Sequence, residues 1–288
     1  MRREGPAREL WTALPNWSIV EKFDKGRAVY VDSDLDLSQP LYRYMRADDA
    51  FKMLEKKALW FSAPHRWDDP HEKWWCDLLF RDGSHLGTAY AYGSCWTTRS
   101  HDEPFWRLYG CRCVEDDAKA RRKKIESVRV LPAVRFRAKA DKLLHWLCES
   151  ARGATCKAFM GHVRYCPVEQ LRAVASNARA SNDNPARIAA DGLHMKRLAY
   201  QFEDEVRLLW IDRKDRRGGH PIALDPLELF DQVMIGPTRA DDEGRYLEVA
   251  ARLMDRGIPE ARIKPSSIWQ VPKLQAVSAR SIGRMLAR

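Results

Sequence analysis

The segment Tyr200–Ile211, YQFEDEVRLLWI, constrains the fold more than any other stretch of this chain. Its pattern predicts a strand. Side chains of a strand alternate between two faces, so Phe202, Asp204, Val206, Leu208 and Trp210 share one face. Glu203, Glu205, Arg207 and Leu209 share the other, with successive residues about 6.6–6.8 Å apart. Two carboxylates and a guanidinium in a row, on a strand apolar enough to be central, read as the wall of a cleft. They fit equally an exposed face on which Arg207 screens the two acids.

The rest of the chain supplies further strands and the helices to cover them. LYRYM (41–45) and LWFSAP (59–64) read as short strands around an amphipathic helix over 47–58, with Ala50, Phe51, Leu54 and Ala58 on one side and Asp48 and Asp49 at its start. Residues 69–80 open as a helix, with Asp69 as N-cap, Pro70 at the first helical position and Glu72 as the capping-box acid. AYAYGSCWTT (89–98) is a strand, and a short helix from Asp102 closes at Gly110. After a charged insertion near 111–127 come the β-like VRVLPAVRF, a helix around LLHWLC (143–148) and the strand-like GHVRYCPV (161–168). Residues 171–192, with their Asn, Ser, Asp and Pro, read as a flexible segment, and RKDRRGGHP as a basic turn. QVMIGP (232–237) is a last strand before a helix over 241–257. The expected class is α+β, a mixed and largely antiparallel central sheet flanked by helices. Residues 1–38 read as an N-terminal extension and 39–288 as one domain.

Composition narrows the setting. A chain of 288 residues with 45% hydrophobic and 31% charged residues can build a large core. No apolar run approaches the ~20 residues of a membrane span, and the basic N-terminus lacks the apolar stretch of a secretory signal. Seven cysteines without repeating spacing point to buried thiols in a reducing, cytoplasmic compartment; Cys111-x-Cys113 is one residue short of a zinc pair. A net charge of +10 fits a nucleotide or nucleic-acid ligand, or simple solubility.

Three other segments carry ionisable groups in suggestive patterns. Trp67-Asp-Asp-Pro-His-Glu72 fits a substrate- or metal-contacting loop, although Asp69 and Glu72 also serve as helix caps. Tyr42-Arg43-Tyr44 places a guanidinium between aromatics, ready to grip phosphate or to pair with Glu203 or Glu205. Cys95-Trp96-Thr97-Thr98 offers hydroxyls at a strand end, and Trp106 and Tyr109 offer stacking surface. There is no Walker loop, GxGxxG, HExxH or GxSxG.

In order and spacing, LYRYMR, LWFSAPHRWDDPHE, SCWTTRSHDEPFWRLYG, GHVRYCPV, LHMKRLAYQFEDEVRLLW and MIGP resemble the bacterial domain of unknown function DUF2971 over roughly residues 40–240. That family usually has Asn at Asp68, and a small-residue strand ending in Ser-Thr where this chain reads VRFRAKAD. Its layout is similar in turn to ADP-ribosyltransferases, which place an Arg or His, a Ser/Thr or Tyr, and a late Glu-x-Glu on successive strands. The resemblance implies Glu203 and Glu205 as catalytic acids, with Arg43, Tyr44, Asp69, His71, Glu72, Trp96, Thr97, Lys196 and Arg207 as substrate contacts. It implies NAD as co-substrate, Arg43 on the pyrophosphate or ribose, Glu205 on the ribose, and Trp96 or Tyr44 stacked on nicotinamide. A toxin or phage-defence effector is the implied setting. Two alternatives stand beside it. One is a metal-dependent nuclease or phosphoesterase built on Asp68, Asp69, His71, Glu203 and Glu205; the other is a non-catalytic nucleic-acid-binding module.

Overall fold

The computed structural model describes residues 14–67, 69–72, 90–110, 132–180, 184–212, 218–237 and 243–268. Asp68, residues 73–80 of the helix expected over 69–80, the charged insertion, Cys111 and Cys113, and residues 213–217 of the expected basic turn lie outside them. The described strands are β1 (Trp17–Lys22), β2 (Ala28–Asp32), β3 (Pro40–Met45), β4 (Ala58–Ser62), β5 (Tyr90–Thr97), β6 (Val134–Lys139), β7 (Lys157–His162), β8 (Arg164–Cys166), β9 (Met195–Arg197), β10 (Glu205–Asp212), β11 (Gly219–Ala223), β12 (Gln232–Ile235) and β13 (Ile263–Pro265). Between them lie α1 (Ala47–Lys56), α2 (Glu103–Gly110), α3 (Ala140–Arg152), α4 (Val168–Ala180), α5 (Pro185–Leu193), α6 (Pro226–Leu229) and α7 (Glu243–Met254).

One large sheet runs in the order β1-β2-β7-β10-β5-β3-β6-β12-β13, and β4 joins β5 to β11 beside this path. Only β2 with β7 and β12 with β13 pair in parallel within it; the class is α+β with a mixed, largely antiparallel sheet. β8 and β9 form a separate parallel pair. Residues 17–32, read from the sequence as part of an extension, supply the first two strands of the sheet.

Burial explains the layering. Ala50, Phe51 and Leu54 of α1, Leu143, Leu144 and Leu147 of α3, and Val249 and Leu253 of α7 recur at helical spacing. They pack on Val206, Leu208 and Trp210 of β10 in one core. Among the described residues the opposite face is covered at its two ends. At one end α4 and α5 press Leu171, Val174, Ile188 and Leu193 onto Phe159, Leu209 and Ile211. At the other, Phe105 and Trp106 of α2 pack on Tyr42, Tyr44 and Met234. A cavity opens between these two clusters.

Two expectations are corrected here. Residues 171–192 are mostly helical rather than flexible: α4 carries Leu171, Val174 and Ala175 into the core, and Asn184 caps α5 by accepting the Ala186 N–H at 3.1 Å. The strand expected from Tyr200 begins at Glu205. Residues 198–203 form a 3₁₀ turn that ends where Asp204 takes a left-handed conformation at φ 43°, one that Asp tolerates better than most residues.

Candidate active site

β10 is flanked by β5 and β7, and all eight of its residues are buried. Its polar face therefore is not an exposed sheet surface. Glu205 lies opposite Thr97, and Arg207 opposite Cys95, across the β10–β5 ladder. Those four side chains with Tyr42 and Tyr44 form the floor of a cavity of about 450 Å³, within the usual range of small-molecule sites. Trp67, Asp69 and Glu72 after β4, Lys196 of β9, Tyr200, Phe202 and Glu203 of the 3₁₀ turn and Tyr109 of α2 form its walls.

Gly93 lets one wall approach the floor. A Cβ there would lie 2.6 Å from the Trp67 ring, so glycine permits the indole to sit against the sheet. Trp67 then donates to Ser62 Oγ at 2.7 Å and stacks on the Arg207 guanidinium, 4.3 Å from its ring centroid.

Around Arg207 the polar groups form one buried network. Its Nε donates to Glu205 Oε1 at 2.7 Å and its Nη2 to Glu205 Oε2 at 2.9 Å and Glu72 Oε1 at 2.6 Å; Nη1 donates to the Leu193 carbonyl. Lys196 Nζ bridges Glu203 Oε2 at 2.5 Å and Glu205 Oε2 at 3.3 Å. Tyr109 donates its hydroxyl to Glu203 Oε1 at 2.9 Å, and Tyr165 Oη accepts the Glu205 N–H at 2.9 Å. The left-handed turn at Asp204 brings Glu203 and Glu205 onto one ammonium, and Thr98 holds Asp204 by donating to its carboxylate.

Three carboxylates share two cations here, so their protons are held unequally. Burial would raise the Glu205 pKa, but Arg207 and Lys196 overcome it and hold it well below the usual carboxylate range. For Glu203 burial wins: its pKa is raised, with Lys196 opposing and Glu205 reinforcing. Burial raises Glu72 as well, against Arg207 and Lys196. Lys196 feels burial in the opposite sense, yet Glu205 and Glu72 keep it firmly protonated.

The remaining predicted residues divide. Arg43 does not pair with Glu203 or Glu205. It reaches through the gap between β3 and β5, which are in register only at Tyr42–Thr97, and donates to Ser94 Oγ and, at 3.2 Å, to the Cys95 carbonyl. Burial lowers its pKa, and among the described residues no carboxylate lies within salt-bridge distance of it. Asp69 lines the cavity and also accepts from the His71 N–H at 3.0 Å and from Arg197 at 2.9 Å, so capping and site roles coincide. His71 Nδ1 lies 3.5 Å from Asp69, and His71 is not among the described residues that line the cavity. Thr97 donates to the Glu203 carbonyl at 2.6 Å and accepts the Arg99 N–H, which leaves it a structural clasp. Trp96 touches the cavity but belongs to the main core, stacked on Phe230. Tyr44 donates to the carbonyls of Arg99 and Ser100, and burial pushes its pKa up to about 12.

Tyr165, Tyr200, Phe202 and Cys95 were not predicted as site residues. Cys95 opens onto the cavity; burial and Glu205 raise its pKa, so it is a thiol that donates to Glu205. Its alternation with Thr97 on β5 was the available signal. Tyr165 lies on the three-residue strand β8, too short for any periodicity.

Among the described residues no three His, Cys, Asp or Glu side chains are grouped so as to hold a metal ion. No described helix is long and apolar enough to cross a membrane. No family model, no curated protein and no solved structure matches the chain.

Proposed function

We propose that the cavity is the active site of an enzyme that cleaves the N-glycosidic bond of a nucleotide, with NAD the co-substrate that the DUF2971 and ADP-ribosyltransferase resemblance implies. One observation carries this reading: Glu203 and Glu205 share the Lys196 ammonium at the cavity wall while their pKa values are displaced in opposite directions. Paired carboxylates separated in this way divide the work of acid–base chemistry. Glu205 stays ionised and fixed. Glu203, the more basic of the two, accepts the proton of the attacking water or acceptor hydroxyl as the bond to nicotinamide breaks. The carboxylates of Glu203 and Glu205 favour the oxocarbenium-like ribose of the transition state. Arg43, with spare donors, suits the phosphates. A toxin or phage-defence role is the setting the resemblance supplies.

Millimolar NAD or ADP-ribose is expected to raise the melting temperature, and the protein to release nicotinamide from NAD. Glu203→Gln keeps the fold and the thermal shift but loses release by about 10²-fold or more, as expected for a general base. An unchanged melting temperature at millimolar NAD would count decisively against the reading. Glu205→Gln is a poorer probe, because it also strips Arg207 of its bidentate partner.

A second reading, a non-catalytic nucleic-acid-binding module, draws on one feature: Arg207 is sealed from solvent between Glu205 and Glu72. It requires salt-dependent oligonucleotide binding that survives Glu203→Gln.

A further inference from the structure

The aromatic walls of the cavity form two groups that differ in what lies against their rings. In the first group each ring carries a cation. Arg135 lies 4.5 Å from the Tyr42 centroid, Arg207 4.3 Å from Trp67, and Lys196 and Arg197 4.7 and 5.2 Å from Tyr200. The second group is Phe105, Tyr109 and Phe202, which pack on one another with Phe105 5.4 Å from Tyr109 and 6.4 Å from Phe202. Among the described residues no cation lies over these rings. Their polar neighbour is an acid, since Tyr109 donates to Glu203.

Arg135 makes the contrast sharpest. It is fully buried, and no carboxylate lies within salt-bridge distance among the described residues. Its Nη2 donates to Gln232 at 2.8 Å, Nη1 to the Ser100 carbonyl, and its Nε finds no acceptor among the described residues. The Tyr42 ring is what faces its charge. A ring with a cation on one face has surrendered π density and is a poor host for a second cation, but it stacks well on a neutral, electron-rich base. The charge balance runs the same way. With Arg43, Arg66 and Asp69 counted the lining is neutral overall, but its charge is uneven, and Glu203, held by Lys196 and by no arginine among the described residues, sits beside the second group.

We propose that this polarity orients a dinucleotide in the cavity: the neutral purine stacks on Tyr42, Trp67 and Tyr200, and the cationic pyridinium rests on Phe105, Tyr109 and Phe202 beside Glu203. The inference rests on the N-glycosidic reading above and assigns its two ends. Stacking and charge would then hold the scissile pyridinium–ribose bond on the Glu203 side.

Calorimetric titration of the full chain with AMP and with nicotinamide mononucleotide separates the ends. Phe202, 40% exposed, and the half-buried Tyr200 can be changed to Leu without opening the core. Phe202→Leu is expected to weaken nicotinamide mononucleotide about tenfold and AMP less than about twofold, and Tyr200→Leu to do the reverse. Reduced nicotinamide mononucleotide, whose ring is neutral, is expected to bind about tenfold more weakly than the oxidised form. Equal binding of the two redox forms, or equal loss of AMP and nicotinamide mononucleotide in both variants, overturns the polarity while leaving the N-glycosidic reading intact. If neither mononucleotide nor NAD binds, the N-glycosidic reading fails and the polarity with it.

Discussion

Arg164 and Arg207 are each held between two carboxylates, and their surroundings differ. Arg164 bridges Asp32 at 3.0 Å and Asp34 at 2.6 Å beside the β1–β2 edge; its side chain is 27% exposed and that of Asp34 63%. Asp32 also accepts backbone N–H groups of Asn16 and Asp34, so it is not dependent on the arginine. Arg207 bridges Glu205 and Glu72 with no exposure at all and with an indole over its face. The first cluster is the ordinary fastening of a turn. The second carries a desolvation cost that a chain has no structural need to bear, since apolar residues of similar volume would pack there at least as well. Charge of that kind, facing a cavity, is what the proposed activity draws on.

Truncating the two arginines tests the contrast most directly. Arg207→Met strands two buried carboxylates and is expected to cost about 3–5 kcal/mol. Arg164→Met leaves the buried Asp32 on its backbone N–H donors and should cost less, about 1.5–3 kcal/mol, the loss of a hydrogen bond to a charged group. Urea midpoints of the two variants decide it, and equal losses would break the comparison.

The pH dependence should come next in size. His194 is fully buried behind Arg207, with Nδ1 2.8 Å from the Ala190 carbonyl and Nε2 3.0 Å from that of Arg207. Burial first, and the Arg207 charge second, lower its pKa to about 4. The unfolded chain protonates histidine near its ordinary value of about 6.5 and therefore binds more protons than the folded chain between pH 6.5 and 4. Stability accordingly falls as pH drops through that window, by about 3 kcal/mol in all. His194→Gln removes this contribution, so a stability–pH series should flatten there; parallel curves for the two proteins would sink the assignment.

The smallest effect is steric. Gly93→Ala places a methyl 2.6 Å from Trp67 and forces the indole off Arg207, at a cost of about 1–3 kcal/mol. A change in tryptophan fluorescence should accompany it, and an unchanged spectrum would mean that the ring has room to yield. In the Arg164 cluster Gly161 makes a comparable close approach, since a Cβ there would lie 2.9 Å from Asp32 and 3.0 Å from Trp17.

How much of this was readable beforehand depended on pattern length. β3, α1, β5 and α3 carry full turns or alternations and were evident, and so was the polar face of β10 from Glu205 onward. Glu203 was assigned to the right cluster for the wrong local reason, because nothing in FEDE announces a left-handed Asp204. The α4 stripe of Leu171, Val174 and Ala175 was masked by Asn and Ser on its outer side. β1 leaves Ser18, Ile19 and Val20 all exposed, so no alternation marks it as a strand. Lys196 entered only through the family resemblance. Its role as the link between two acids follows from the register of β9, three residues that no local rule places.

The divided cover on the cavity face has a consequence for how the molecule breathes. α2 and the α4–α5 pair belong to separate apolar clusters, and the bridge between them across the cavity is largely polar. Amide protons in the two covers should therefore exchange through independent local openings while the sheet beneath stays closed. A bound ligand touching both sides would couple those openings, and the two covers would slow together.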